Sequence, residues 1–290
     1  MLRPSAFEYH KPETLDQALA LLAEFGDEGR PLAGGQSLVP MMNLRLARPQ
    51  HLVDINDLGL EAIERDGPIL RIGALVRHER YLTDPLIGAL MPVFQEGVHY
   101  IGHPTIRRHG SIGGSLAHAD PTAELPLLAV LYDAQIVVRS VNGERRVAAA
   151  AFFHGAYMTA IDPGEMIVAV EFPIPQTAAA GAFIEVGERR GDFALAAVAV
   201  QLAIDGGRIG TASVACSGAA QHAIRLPELE RALIGKPLGE PAPENEIARI
   251  AGALKPPGDH AASADYRRAL LKTLLTRATA TACARAREIS

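Results

Sequence analysis

Hydrophobic residues recur at helical spacing close to the start of the chain. The segment from Thr14 to Gln17 has the pattern of a capping box, in which two side chains satisfy backbone groups at a helix start. The apolar stripe that follows stops at Gly26. This stripe comprises Leu15, Leu19, Leu22 and Phe25. The pattern predicts an amphipathic helix that ends at the glycine.

Short apolar runs follow this helix and alternate with a second one. Residues 30–33 and 52–55 have the length and composition of strands, and a short helix is predicted from Ser37 to about Leu44. The resulting order is βαβαβ, provided that the helices cross between parallel strands. We therefore predict a small α/β subdomain over residues 1–55.

From residue 69 onward the pattern is that of strands in a mixed region. Residues 69–74 alternate between apolar and polar, as in a half-buried strand. The Asn142-Gly143 pair, between apolar stretches at 136–139 and 146–147, is a strong signal for a hairpin turn. Four apolar residues at alternate positions are expected to share one face of a further strand: Met166, Val168, Val170 and Phe172. These elements predict a larger α+β subdomain over residues 56–175.

A link rich in Pro, Ala and Gly at 173–181 separates a third region. The stretches 193–204 and 209–216 have the pattern of paired strands, and 269–284 has that of a closing amphipathic helix. We therefore predict a C-terminal domain over residues 176–290.

Composition and charge exclude several classes of protein. The chain of 290 residues is 48% hydrophobic and 21% charged, as in an ordinary globular protein that folds into about two domains. Its net charge of -5 argues against a surface for nucleic acid. The longest apolar run, 193–204, is far shorter than the ~20 residues that a membrane helix needs. The first residues lack the apolar core of a secretory signal, so we expect a cytoplasmic protein without a membrane span.

The sequence offers no evident metal site or nucleophile. Cys216 and Cys283 are the only cysteines, so thiolates cannot house a zinc ion or an iron–sulfur cluster in this chain. The histidines at 99, 103, 109 and 118 fit no usual pair of metal ligands on a helix. A Gly-x-Ser-x-Gly elbow is also missing from the sequence. We therefore expect neither a metal ligand nor a catalytic side chain in this chain.

Two glycine cassettes carry the chemical information. The first is Leu-Ala-Gly-Gly-Gln-Ser-Leu-Val-Pro at 32–40, and the second is Ser-Ile-Gly-Gly-Ser-Leu-Ala-His-Ala-Asp-Pro at 111–121. Paired glycines allow a tight turn and expose consecutive N–H groups that can hold a pyrophosphate. Either cassette alone is equally compatible with a simple turn between a strand and a helix. Two in one chain favour a bound dinucleotide.

Three separated motifs carry a family resemblance. They are Ala-Gly-Gly-Gln-Ser at 33–37, the run 101–107 that leads into Ser-Ile-Gly-Gly at 111–114, and Arg-Arg-Gly-Asp-Phe-Ala at 189–194. Together they resemble the FAD-binding medium subunit of the molybdenum hydroxylases, which include carbon monoxide, xanthine and nicotinate dehydrogenases. The resemblance covers essentially the whole chain. It implies an α+β protein with the two-subdomain FAD-binding fold of the p-cresol methylhydroxylase type, followed by a C-terminal α+β domain.

The resemblance also implies which residues contact FAD, which is expected to bind without a covalent bond. The expected contacts are Leu32, Ala33, Gly34, Gly35, Gln36, Ser37, Leu38, Ile101, Gly102, Ser111, Ile112, Gly113, Gly114, Ser115, Asp120, Glu124, Ile167, Asp192 and Phe193. Both cassettes are expected to meet the diphosphate. Relatives more often have Thr and Asn where this chain has Ser111 and Ser115, so the contact of Ser115 differs from theirs.

Three positions keep an alternative interpretation. Asp120 can accept a hydrogen bond from a ribitol or ribose hydroxyl, and it can equally cap a helix. Phe193 either covers one face of the flavin ring or packs in the core of a strand. Glu185 stands where xanthine-type relatives have lysine near the flavin, so it either points away or changes the redox properties.

The function implied by the resemblance is electron transfer within a larger enzyme. FAD would collect single electrons from the [2Fe-2S] clusters of a small subunit and pass them to an external acceptor, while a large molybdopterin subunit oxidises the substrate. Molybdopterin and the clusters are expected only in these partner subunits, and the expected assembly is a dimer of heterotrimers. Flavin suits this role because it accepts one electron or two. The alternatives are a self-contained flavin oxidase or reductase of the same fold and a nucleotide-binding module without redox chemistry. The substrate and the electron acceptor (NAD, oxygen or a quinone) do not follow from this chain.

Overall fold

The computed structural model describes residues 3–177, 179–189, 191–240 and 242–289. The first part of the chain alternates strands and helices. Its elements are β1 (Glu8–His10), α1 (Leu15–Phe25), a 3₁₀ helix (Gly26–Glu28), β2 (Gly29–Leu32), α2 (Leu38–Asn43) and β3 (His51–Asp54). The three strands form a parallel sheet in the order β1-β3-β2, which confirms the predicted βαβαβ arrangement.

Helix α1 begins and ends as the sequence predicts. The Thr14 hydroxyl accepts a hydrogen bond from the Gln17 N–H at 3.2 Å, and the Gln17 side chain accepts one from the Thr14 N–H at 3.3 Å. Gly26 closes the helix at a φ of 51°, a conformation that costs a glycine little. Leu19 and Leu22 are buried, so α1 covers one face of this part of the molecule.

The middle part of the chain forms a five-stranded antiparallel sheet with helices packed against it. Its elements are β4 (Ile63–Asp66), β5 (Ile69–Gly73), α3 (His78–Tyr81), α4 (Pro85–Leu90), α5 (Pro92–Val98), α6 (Pro104–His109), α7 (Ile112–His118), α8 (Glu124–Leu131), β6 (Gln135–Ser140), β7 (Gly143–Ala148), α9 (Ala149–Phe152), β8 (Phe153–Gly155), β9 (Met158–Thr159) and β10 (Met166–Pro173). The sheet order is β4-β5-β10-β6-β7, and β8 pairs with β9 separately. The predicted hairpin is confirmed as β6 and β7.

The prediction that four apolar residues share one face of β10 is wrong. A bulge between Ile167 and Ala169 shifts the register of β10 against β6. Because an inserted residue reverses the alternation of side chains, Met166 and Val168 pack in the core beneath α1, whereas Val170 and Phe172 pack in the larger core of the middle helices.

The last part of the chain is a four-stranded antiparallel sheet covered by helices. Its elements are β11 (Ala179–Gly187), β12 (Ala194–Asp205), β13 (Arg208–Ser217), β14 (Ile224–Arg225), α10 (Pro227–Leu233), α11 (Glu244–Ala253) and α12 (Ala264–Glu288). The sheet follows chain order. Helix α12 is longer than the predicted 269–284 at both ends, and the Ser263 hydroxyl caps it by accepting a hydrogen bond from the Tyr266 N–H.

Strand β12 is buried on both faces. Ala196, Val198 and Val200 pack in the core beneath the C-terminal helices, whereas Ala197 and Ala199 face the core of the middle region. Small side chains allow both layers to approach the strand closely. The third sheet is therefore held between α12 on one side and α5 and α8 on the other, where β11 packs on α5 while β12 and β13 pack on α8. Within the described residues, none of the helices has the length and apolar character to cross a bilayer.

Candidate functional site

The first glycine cassette forms a half-buried loop between β2 and α2. Gly35 has a φ of 68°, and its carbonyl oxygen accepts a hydrogen bond from the Val39 N–H at 3.1 Å. The N–H groups from Gly34 to Leu38 donate to no acceptor in the described part of the chain. Five consecutive N–H groups without an internal acceptor form a concave surface that favours an anion.

The two glycines of the second cassette have different surroundings. The Gly113 N–H donates to the Ala74 carbonyl oxygen at 2.9 Å, and a Cβ at Gly113 would lie 2.8 Å from the Ala74 Cβ. Gly114 is exposed, and its N–H donates to the Ser111 hydroxyl, which caps α7. A Cβ at Gly114 would have that hydroxyl oxygen, at 3.2 Å, as its only neighbour within 4 Å among the described atoms. Gly113 therefore packs against the strand layer, while Gly114 and the half-buried Ser115 face outward.

The structure brings the two cassettes into contact. A Cβ at Gly34 would lie 1.8 Å from the His109 carbonyl oxygen and 3.1 Å from the Gly110 nitrogen. Such a position has no room for any side chain. The first cassette therefore rests directly on the backbone that leads into Ser111, so both loops border one site.

Asn56 and Arg77 connect the same two loops by hydrogen bonds. The Asn56 amide donates to the carbonyl oxygens of Leu32 and Ala33 at 3.3 and 3.1 Å. Its Oδ1 accepts a hydrogen bond of 2.5 Å from Arg77 Nη2, and Arg77 Nη1 donates to the His109 carbonyl oxygen at 2.7 Å. Sequence reasoning missed both residues. A signal for Asn56 existed, because it follows the carboxyl end of a parallel strand, where ligands commonly bind.

A neutral histidine lies beneath the second loop. The His78 N–H donates to the Gly110 carbonyl oxygen at 3.1 Å, and its ring is buried against Gly110. Burial, with smaller contributions from the nearby charges of Arg77 and Arg107, lowers the pKa of His78 to about 3. The ring is therefore uncharged at neutral pH, and its buried Nδ1 has no hydrogen-bond partner within the described chain.

A third loop reaches the same edge of the molecule. Arg107 Nη1 donates to the carbonyl oxygens of Ile101 and Gly102, both at 2.8 Å, and so fixes that turn. A Cβ at Gly191 would lie 2.9 Å from the His103 ring, so the loop between β11 and β12 packs on the turn at 102. This contact brings the exposed Asp192 and Phe193 beside it.

Phe193 is not part of a strand core. Its side chain is 70% exposed, and it precedes the first residue of β12. The alternative interpretation of Phe193 as strand core is therefore wrong. An exposed phenylalanine next to a packed loop leaves an aromatic face available for a ligand.

Asp120 is a buried acceptor that does not cap a helix. Its Oδ1 accepts hydrogen bonds from the Thr122 N–H at 2.9 Å and the Thr122 hydroxyl at 2.7 Å, and its Oδ2 accepts one from the Tyr157 hydroxyl at 3.1 Å. Helix α8 begins only at Glu124, with Ala123 as its N-cap, so the capping interpretation of Asp120 is wrong. Burial and the charge of Asp120 raise the pKa of Tyr157 to about 12, so Tyr157 remains a hydrogen-bond donor at neutral pH.

Glu124 on α8 and Glu185 on β11 form a half-buried acidic pair. Burial raises the pKa of Glu185, and the charge of Glu124 raises it further. Burial likewise raises the pKa of Glu124, with a smaller contribution from Asp120. Glu185 Oε2 has no hydrogen-bond partner within the described chain. Because two carboxylates in a poorly solvated place repel each other, the pair holds on to a proton at neutral pH.

Three predicted apolar contacts are core residues. The side chains of Ile101, Ile112 and Ile167 are all buried in the core of the middle region. Ile167 is nevertheless close to the second cassette, because the adjoining Val168 carbonyl oxygen accepts a hydrogen bond from the Ala74 N–H. Backbone atoms of these residues, rather than their side chains, can reach a ligand.

Comparisons with known proteins agree with this architecture. A family model described as "FAD binding domain in molybdopterin dehydrogenase" matches residues 5–175, and one described as "CO dehydrogenase flavoprotein C-terminal domain" matches residues 181–282. The chain is 37% identical over 285 residues to the carbon monoxide dehydrogenase medium chain of Afipia carboxidovorans, covering 98% of this chain and 99% of that one.

Two further similarities extend over nearly the full length. The chain is 38% identical over 292 residues to the 6-hydroxypseudooxynicotine dehydrogenase complex subunit alpha of Paenarthrobacter nicotinovorans, covering 99% of this chain and 97% of that one. Its structure matches a chain of the Cu,Mo-CO dehydrogenase crystal structure in the cyanide-inactivated form with a TM-score of 0.93 and 37% identity, covering 97% of this chain and 99% of that one.

The chain therefore belongs to the FAD-binding medium subunits of the molybdenum hydroxylase family. It is a subunit of a molybdenum-containing oxidoreductase, and FAD is the cofactor of its FAD-binding domain. The expected α+β architecture, with an FAD-binding part followed by a C-terminal domain, is confirmed.

Proposed function

We propose that the five N–H groups from Gly34 to Leu38 hold the FAD diphosphate, with Gly114 and Ser115 facing it from the second loop. The observation that carries this proposal is that these five groups have no acceptor within the described chain, at a place where the two cassettes touch. An anion with several oxygens satisfies such donors directly. Gly113 serves the site by close packing on Ala74, which fixes the position of α7.

The other predicted FAD contacts lie around the proposed diphosphate site. Leu32, Ala33, Gln36 and Ser37 shape the first loop, and the backbone of Ile101, Gly102 and Ile167 borders the ring end. Asp120 and Glu124 supply acceptor oxygens for hydroxyl groups of the cofactor. Asp192 and Phe193 lie on the exposed edge, where Phe193 covers one face of the ring.

We further propose that the chain transfers electrons within a complex. Bound flavin supplies a carrier that accepts one electron or two. In this proposal the electrons come from [2Fe-2S] clusters in a small subunit, and molybdopterin belongs to a large subunit. Support comes from the relatives that are named a medium chain and a subunit of a dehydrogenase complex. A dimer of heterotrimers is the proposed assembly.

Domain division and location belong to the same proposal. We assign 1–55 and 56–175 to the two FAD-binding subdomains and 176–290 to the C-terminal domain, because a separate sheet lies in each segment. The cytoplasm is the proposed compartment, since Cys216 and Cys283 are both free and buried, as is usual where thiols stay reduced.

Two variants with the same substitution test the FAD site. Gly114→Val places a branched side chain in the space that the diphosphate would occupy. Gly252→Val is the control, because it adds the same side chain on an exposed turn of α11, where nothing lies within 4 Å. We expect Gly114→Val to lose most of its FAD, measured by flavin absorbance per chain, while Gly252→Val keeps it. Equal FAD content in both folded variants would contradict the proposed site. Substrate oxidation by the purified single chain would favour a self-contained flavoenzyme instead.

A further inference from the structure

Two histidines and a glutamate converge on the first sheet beside the end of α1, away from both cassettes in sequence. Strands β1 and β3 run parallel with Glu8 opposite His51 and His10 opposite Val53. Since side chains two residues apart on a strand point the same way, Glu8 and His10 lie on the face that also carries His51. The pairing of strands therefore brings His51 beside His10, which precedes it by 41 residues, and beside Glu8.

The three side chains have the separations of metal ligands. His10 Nε2 lies 3.1 Å from His51 Nδ1, and Glu8 Oε2 lies 3.8 Å and 3.6 Å from these two atoms. All the ligand atoms lie within 4.8 Å of one another. In a tetrahedral zinc site with bonds of about 2.0–2.1 Å, neighbouring ligand atoms are roughly 3.3–3.5 Å apart. Shifts of a few tenths of an ångström in the exposed Glu8 side chain complete the arrangement.

Aromatic packing holds the two imidazoles in place. Phe25, at the end of α1, stacks on His51 with ring centroids 3.9 Å apart and an angle of 9° between the planes. The same ring packs against His10 at 4.8 Å. The histidine side chains are 24% and 19% exposed, so an ion can enter from solvent and water can fill a fourth position. Rings that are already fixed lose little entropy when they bind an ion.

We propose that Glu8, His10 and His51 form a binding site for a divalent transition-metal ion of the zinc class. Imidazole nitrogens and a carboxylate oxygen are ligands that suit such ions. Bound metal joins β1 to β3 at the sheet whose neighbouring strand, β2, leads into the first cassette. The site lies apart from the FAD contacts and is independent of the proposed electron transfer. The simpler alternative is a hydrogen bond between the two imidazoles that needs no metal.

A titration of the full-length chain with Co²⁺ tests this site, because four-coordinate cobalt absorbs visible light. We expect a saturable absorption at one ion per chain, its displacement by Zn²⁺, and a higher melting temperature with Zn²⁺. His51→Gln and His10→Gln should lose the saturable binding, whereas His260→Gln, at an exposed position on another part of the chain, should keep it. Glu8→Gln changes an exposed side chain that the fold does not need, and this variant should bind Co²⁺ more weakly by roughly tenfold or more.

Three results would overturn the metal site. The first is the absence of saturable cobalt absorption in the unmodified chain. The second is binding that survives unchanged in the folded His10→Gln variant, which would mean adventitious binding elsewhere. The third is equal affinity of Glu8→Gln and the unmodified chain. The last comparison keeps the proposal testable even if a histidine variant fails to fold.

Discussion

Arg77 Nη2 lies 2.5 Å from Asn56 Oδ1, and this hydrogen bond links the two loops that border the proposed FAD site. Asn56 also donates to the carbonyl oxygens of Leu32 and Ala33, while Arg77 donates to that of His109. Both side chains therefore fix the orientation of loop peptides whose N–H groups would meet the diphosphate. They are positioning residues that do not themselves touch the proposed ligand.

Asn56→Ala should weaken FAD binding because it removes three hydrogen bonds that hold the first loop against the second. A loss of about 1–2 kcal/mol corresponds to roughly 5–30-fold in the dissociation constant. Fluorescence titration of the flavin-free chain with FAD measures it. Gln50→Ala, which removes an exposed hydrogen bond to Glu28, is the control. An unchanged affinity in Asn56→Ala would show that the loop keeps its shape without this link.

Gly34→Ala should destabilise the fold itself. The added methyl group would lie 1.8 Å from the His109 carbonyl oxygen, so the two loops must move apart. We expect a loss of about 3 kcal/mol in the free energy of unfolding, measured by urea denaturation without FAD. Gly114→Ala adds the same methyl group inside α7 next to the Ser111 hydroxyl alone and should cost far less. Equal stability of the two variants would contradict the observed contact between the loops.

Phe193→Ala should change the flavin and leave the fold intact. Since this side chain is 70% exposed, its loss should alter the free energy of unfolding by less than about 0.5 kcal/mol. Greater access of water to the ring should shift the flavin potential and the rate of reoxidation. FAD content should change little, because the diphosphate contacts lie elsewhere. A redox titration with an unchanged potential would exclude Phe193 from the ring contacts.

Stability should depend on pH through Glu185. Burial and the charge of Glu124 raise the pKa of Glu185 in the folded state, so its contribution to stability is complete at low pH. That contribution is lost as pH rises above about 4.3, the usual glutamate pKa, toward the folded value. Glu185→Gln should therefore melt at a higher temperature than the unmodified chain at alkaline pH, with a flatter dependence on pH.

The neighbouring exposed Glu188 supplies the control for this experiment. Glu188→Gln should follow the pH dependence of the unmodified chain. The charges that act on the pair come from Asp120 on Glu124 and from Glu124 on Glu185. Parallel melting curves for Glu185→Gln and Glu188→Gln would show that Glu185 does not retain its proton.

Elements fixed by neighbouring residues could be predicted from the sequence. The capping box of Thr14 and Gln17 and the hairpin between β6 and β7 depend on residues a few positions apart. The two glycine cassettes could likewise be recognised from the sequence, because paired glycines before an apolar run are a local pattern that does not depend on distant residues. These local signals were sufficient to identify the family.

Features that depend on distant contacts could not be predicted. The bulge before Ala169 reverses the alternation of side chains along β10, so an alternating sequence pattern alone assigns residues to the wrong face of this strand. The bond between Asn56 and Arg77 and the approach of His10 to His51 arise only when strands and loops come together. The approach of Glu185 on β11 to Glu124 on α8 also requires the third sheet to pack on the middle helices.

A comparison of FAD with riboflavin tests the central claim most directly, since riboflavin carries the ring but lacks the diphosphate. The flavin-free chain should bind one FAD, and riboflavin should bind at least about a hundredfold more weakly, because charge-assisted hydrogen bonds to Gly34–Leu38 are missing. Isothermal titration calorimetry measures both affinities. Equal affinities for FAD and riboflavin would contradict a site anchored on the diphosphate.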